Sequence, residues 1–229
     1  MEDGFESIAE FYGEKKQRKI MIHFPLYNDV SNLFIGIQEG TYYKPYNPYK
    51  DVPPIYYYGS SITQGGCASR PGNNYPAVIS RKNNIDFVCL GFSGNAFGEP
   101  EMAEYIANRE MSVFVMDLDH NFSDVKMIRE RHYPFYKIIR EKNPDLPIIM
   151  VTAPAPACSY WRFKERYEVI HENYKRARAE GDDNLYFING MRMMDGEYCD
   201  MITVDGCHPN DFGFYCMARG VLEVLNKII

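Results

Sequence analysis

Ile55-Tyr56-Tyr57-Tyr58 is a short apolar run that ends abruptly in Gly59-Ser60-Ser61-Ile62-Thr63-Gln64-Gly65-Gly66, a turn rich in glycine and hydroxyl groups. Four consecutive large side chains suit a strand buried on both faces, and the glycines suit a chain that must turn sharply. Outward from this stretch the same alternation recurs. Apolar β-type runs at residues 87–90, 113–118, 147–152 and 185–188 take turns with helical patterns at residues 75–82, 100–109, 124–142, 161–179 and 211–227. That order predicts a parallel sheet covered on both faces. Right-handed crossovers then place all five strand ends along one edge, where a ligand site is expected.

Residues 1–50 have a different character. Lys19-Ile20-Met21-Ile22-His23-Phe24 and Leu33-Phe34-Ile35-Gly36-Ile37 read as β-type runs separated by the turn-rich Asn28-Asp29-Val30-Ser31-Asn32. The Tyr- and Pro-rich stretch Thr41-Tyr42-Tyr43-Lys44-Pro45-Tyr46-Asn47-Pro48-Tyr49-Lys50 reads as a connector. The expected organisation is a small β lobe with its connector in 1–50 and an α/β domain in 51–229. A chain of 229 residues is about 1.5 times a common domain, which agrees. Compactly folded, it would expose roughly 10,700 Å².

With 45% hydrophobic and 24% charged residues the composition is that of a globular chain, not a disordered or fibrous one. Net charge is -6 and no dense basic block occurs, which argues against nucleic acid as a partner. No stretch approaches about 18 uninterrupted apolar residues, so no membrane span is expected. The acidic start Met1-Glu2-Asp3-Gly4-Phe5-Glu6 lacks the basic and apolar regions of a secretory leader. Cys67, Cys89, Cys158, Cys199, Cys207 and Cys216 contain no C-x-x-C, which favours reduced thiols and a cytoplasmic location. Nothing in this composition opposes a homo-oligomer.

Four strand-end regions carry residues suited to acyl transfer. Gly59-Ser60-Ser61 with the residues that follow can present a serine beside backbone N–H groups. In Leu90-Gly91-Phe92-Ser93-Gly94-Asn95 the glycines let backbone approach a substrate closely. Met116-Asp117-Leu118-Asp119-His120-Asn121 ends a strand with an amide able to donate a hydrogen bond. Val204-Asp205-Gly206-Cys207-His208-Pro209-Asn210-Asp211 puts an acid and an imidazole three residues apart on one turn. There the carboxylate can accept Nδ1–H and leave Nε2 to act on a hydroxyl. Asn210 and Asp211 are candidates to cap the following helix.

Taken together, and in this chain order, these blocks resemble the SGNH, or GDSL-type, esterase and lipase family over about residues 53–229. The resemblance implies a flavodoxin-like three-layer α/β/α fold with a five-stranded parallel sheet. Gly59-Ser60-Ser61 matches the family's G-D-S, which implies Ser61 as nucleophile. Gly94 matches the glycine N–H donor and Asn121 the asparagine amide. Asp205 and His208 match D-x-x-H-P. The sequence departs from the family in two places: Ser60 stands where the family has Asp, and Asp119-His120-Asn121 where many members have Gly-x-Asn-Asp. Ala68-Ser69-Arg70-Pro71-Gly72 is similar to a bacterial branch with an N-terminal β-sandwich, usually linked to acylated carbohydrates. The implied activity is hydrolysis of short acyl esters, with O-acetylated sugars leading, by a Ser61-His208-Asp205 triad. The implied oxyanion hole is made by Ser61, Gly94 and Asn121, with no metal or organic cofactor.

Other readings of the same residues stand beside this one. Gly91-Phe92-Ser93-Gly94-Asn95 nearly spells a G-x-S-x-G elbow, making Ser93 a rival nucleophile. Asp117, Asp119, His120 and Asp124 could form a hard-metal cluster for phosphoester hydrolysis. A carbohydrate-binding protein with a relic site would stack sugar rings on the aromatic N-terminal run and on Tyr160 and Trp161, and in an enzyme these last two would wall the pocket. Arg70 is a candidate for a polar substrate group or a surface ion pair. Cys207, between Asp205 and His208, invites a thiol nucleophile. His23, His132 and His171 read as structural.

Overall fold

The computed structural model describes residues 7–14, 16–154, 160–196 and 198–229. β1 (Ile55–Gly59) runs through α1 (Ser61–Gln64), a 3₁₀ turn (Pro71–Asn73) and α2 (Tyr75–Asn83) to β2 (Phe87–Gly91). Then α3 (Pro100–Ala107) precedes β3 (Val113–Asp117), α4 (Val125–Lys142) precedes β4 (Ile148–Val151), and α5 (Tyr160–Ala179) precedes β5 (Leu185–Ile188). α6 (Gly190–Met193), a 3₁₀ turn (Cys199–Met201) and α7 (Asp211–Leu225) follow. All strand pairs are parallel and the order is β2-β1-β3-β4-β5, the flavodoxin-like arrangement.

Side-chain alternation explains the three layers. Tyr56 and Tyr58 of β1, with Phe114 and Met116 of β3, pack under α3, α4 and α5 through Ile106, Phe135, Ile139 and Ile170. Ile55 and Tyr57, with Val113 and Val115, pack under α2, α6 and α7 through Ile79, Met193, Phe214 and Val221. Both faces are buried, so the strands read as continuous apolar runs. The chain leaves β1 toward β2 and then returns to β3 on the other side. The switch point therefore lies between the carboxyl ends of β1 and β3, where Gly59 is paired with Asp117.

The small β lobe expected before the sheet is corrected: among the described residues before Ile55 no strand forms. The runs 19–24 and 33–37 do not pair, and Ile20, Ile22, Phe34 and Ile35 remain exposed. Among the described residues no third strand or helix covers the apolar sides of these two short β-type runs, and they gain too little burial to hold a ladder. The accessible surface is accordingly 14048 Å², well above the compact expectation. Among the described residues no helix is long and apolar enough to cross a membrane.

Candidate active site

α1 lies directly on the sheet edge because two glycines let it. A Cβ on Gly59 would strike the Thr63 hydroxyl and the Asp117 carbonyl, and one on Gly91 would strike the Gln64 backbone. Ser60 caps this four-residue helix, its Oγ accepting the Ile62 N–H at 3.2 Å. The hydroxyl thus does the capping work an Asp would do at that position. Ser61 is the first helical residue, so its own N–H is one of the donors a helix leaves unpaired.

The Ser61 hydroxyl stands 2.9 Å from His208 Nε2, and His208 Nδ1 stands 2.7 Å from Asp205 Oδ2. Asp205 Oδ1 also accepts the N–H groups of Cys207 at 2.9 Å and His208 at 2.7 Å. The turn closes at Gly206, whose φ of 80° suits glycine, and Thr203 bridges to Pro209. Hydrogen bonds from the His208 ring and backbone hold the Asp205 carboxyl down to about 2. A carboxylate only accepts, so Nδ1 carries a proton, and in the neutral ring Nε2 is then the acceptor that faces Ser61. Asn210 takes the cap of α7, and Asp211 instead holds Ser69 and Asn73.

Two further residues expected at the site lie in the loops after β2 and β3. Gly94, at φ 69°, sits in the turn after β2 with open space where a Cβ would be. Asn121 Oδ1 accepts the Ala96 N–H at 3.1 Å, which orients the amide and leaves its NH₂ without a hydrogen bond to any described residue. The loop carrying Asn121 is braced from below. Buried Asp119 accepts the Ala153 N–H at 2.8 Å and Arg166 at 3.2 Å, while Arg166 also binds the carbonyls of Asp119 and Phe122.

Asp117 lies buried beneath α1, accepting from Thr63 Oγ1 at 2.8 Å and Tyr75 OH at 3.1 Å, with Oδ1 unpartnered. Burial pushes its carboxyl up to about 6 against those two hydrogen bonds. His120 packs edge-on against Phe163, and burial pushes its imidazole down to about 4.

Several expected residues are not drawn into this constellation. The Ser93 hydroxyl makes no hydrogen bond to a histidine among the described residues, and its N–H goes to Gln64 Oε1 at 3.0 Å. The four residues of the metal reading are dispersed. Asp124 caps α4, Asp119 pairs with Arg166, Asp117 holds Thr63 and Tyr75, and no group of three or more ligating side chains occurs among the described residues. Arg70 is exposed and donates to Asn73 Oδ1 at 3.2 Å. Trp161 is exposed at the start of α5 under the Arg162 guanidinium, and the Tyr160 side chain lies outside the described residues. Burial and the nearby Asp205 push the Cys207 thiol up, away from the thiolate a nucleophile needs. Cys67, Cys89, Cys199, Cys207 and Cys216 are free thiols, and Cys158 lies outside the described residues. His132 and His171 pack in the α4–α5–β5 region, and His23 packs against Gly72.

Fold and site define an α/β/α protein with a serine, an imidazole and a carboxylate joined in series at the sheet's switch point. The model of the GDSL-like lipase/acylhydrolase family matches residues 52–226, and the chain belongs to that family, as its four sequence blocks imply. No curated protein matches it. Among solved structures, a GDSL-like lipase candidate from Bacteroides ovatus is similar at 38% identity and TM-score 0.71, over 81% of this chain and 55% of that one. The salicylyl-acyltransferase SsfX3 from a tetracycline biosynthetic pathway shares the fold at 20% identity and TM-score 0.68, over 78% of this chain and 55% of that one. A family two carbohydrate esterase from Clostridium thermocellum, solved with cellohexaose, shares it at 18% identity and TM-score 0.61, over 76% and 64%. The chain spans only 55% to 64% of the length of these three proteins.

Proposed function

We propose that the chain is a carboxylic ester hydrolase that cleaves short acyl esters, acetyl esters of carbohydrates first among them, with Ser61 as nucleophile. The observation that carries this reading is the continuous series Ser61 Oγ, His208 Nε2, His208 Nδ1, Asp205 Oδ2 at 2.9 Å and 2.7 Å. Family membership supports the reaction type, and the carbohydrate esterase among the fold's relatives supports the substrate class.

Ser61 Oγ attacks the ester carbonyl carbon as its proton passes to His208 Nε2. Asp205 balances the imidazolium and keeps the ring oriented. The carbonyl oxygen becomes an oxyanion, met by the N–H of Ser61, the N–H of Gly94 and the Asn121 NH₂. The C–O bond to the alcohol then breaks, and His208 returns its proton to the departing oxygen. Water attacks the acyl-Ser61 with His208 again as base, releasing the acid and restoring the serine.

A panel of p-nitrophenyl esters from acetate to octanoate, together with an acetylated xylo-oligosaccharide, tests this on wild type and Ser61→Ala. Rates that fall steeply beyond acetate, acetate release from the sugar, and loss of both in Ser61→Ala are expected. Equal hydrolysis by the two proteins ends the proposal.

A further inference from the structure

A side chain of α1 helps fasten the segment before β1 to the site. Gln64, the last residue of α1, donates through Nε2 to the Leu26 carbonyl at 2.8 Å and accepts the Ser93 N–H on Oε1 at 3.0 Å. It therefore joins residues 26–27 to the turn that carries Gly94. Leu26 packs against Gly65, and a Cβ built on Gly66 would stand 2.8 Å from the Tyr27 hydroxyl, 3.3 Å from the Ser61 carbonyl and 3.7 Å from His208 Cδ2. The Tyr27 hydroxyl thus lies beside Gly66, whose other neighbours include the Ser61 backbone carbonyl and the His208 ring edge, while 51% of the residue is open to solvent. Hydrophobic burial does not explain a large aromatic held in this way. A half-exposed aromatic side chain whose tip reaches the turn after Ser61 is a surface for a ligand.

We infer that Tyr27 is a specificity-determining residue whose ring forms the alcohol-side wall of the site and packs against the C–H face of the sugar. This rests on the reading of the chain as a carbohydrate ester hydrolase. An acetyl group needs only a small enclosed space, whereas a sugar alcohol needs an open, partly apolar wall with a wet rim. A half-exposed tyrosine supplies both an apolar face and a polar tip. The ring binds and takes no part in proton transfer, so its loss weakens sugar esters selectively.

The test is steady-state kinetics of the full chain on methyl acetate, which has no ring to stack, and on an acetylated xylo-oligosaccharide. Tyr27→Ala is expected to lower kcat/KM for the oligosaccharide about tenfold more than for methyl acetate, through KM with kcat largely kept. Tyr27→Phe keeps the ring and is expected to retain the wild-type ratio between the two substrates. A wild-type ratio in Tyr27→Ala, or a Tyr27→Phe as impaired as Tyr27→Ala, overturns the inference while leaving the hydrolase reading intact. A wild type that turns over methyl acetate and no acetylated oligosaccharide overturns the substrate class and the inference with it. Ser61→Ala as active as wild type overturns the site itself.

Discussion

Asp205 grips His208 twice, through Oδ2 to the ring Nδ1 at 2.7 Å and through Oδ1 to the backbone N–H, also at 2.7 Å. The carboxylate therefore sets both the tautomer of the ring and the shape of the turn that presents it. Asp205→Asn is expected to lower kcat by about 10² to 10⁴ with a smaller change in KM, because an amide can leave Nε2 carrying the proton. The carboxyl is held down to about 2, so the stabilisation it gives the turn is fully present above its ordinary range and is lost only as pH falls toward 2. Kinetics of the variant on p-nitrophenyl acetate check the first point. An acid titration of wild type and variant followed by circular dichroism checks the second.

Asp117 is the opposite case. Its carboxyl is raised to about 6 by burial, so the folded state favours the protonated form. The resulting stabilisation is complete below the ordinary carboxylate range and is lost as pH rises through 6, by up to about 3 kcal/mol. Asp117→Asn keeps an acceptor for Thr63 or Tyr75 without a charge to bury. Thermal melts should therefore show the variant gaining on wild type at pH 8, with little or no advantage at pH 4.

Asn121 Oδ1 accepts the Ala96 N–H, and its NH₂ is the side-chain donor we propose for the oxyanion. Asn121→Asp preserves the acceptor and removes the donor. A fall in kcat of about 10² to 10³ or more with KM and thermal stability near wild type is expected. Asn121→Ala should lose comparable activity and also stability, since it strands the Ala96 N–H. Parallel kinetics and melts separate the two variants.

The sheet was legible because its strands are buried on both faces, and uninterrupted runs such as residues 113–117 have few other readings. The helices α2, α3, α4, α5 and α7 were equally plain from their periodicity. The four-residue helices α1 and α6 were not, since less than two turns shows no period. Residues 19–24 misled because a β-type pattern states a propensity and says nothing about whether a partner strand exists to complete it. At the site, Asp205 and His208 were readable as neighbours on one turn. The Asp119–Arg166 brace joins residues 47 apart and the Gln64 link to Leu26 residues 38 apart, and no local spacing announces such pairs.

The most direct measurement of the central claim is mapping the site of covalent attack. Active protein treated with a fluorophosphonate, digested and sequenced by mass spectrometry should carry one adduct, on Ser61, and labelling should collapse in His208→Ala. An adduct on Ser93, or full esterase activity in protein that the reagent leaves unlabelled, would contradict the account.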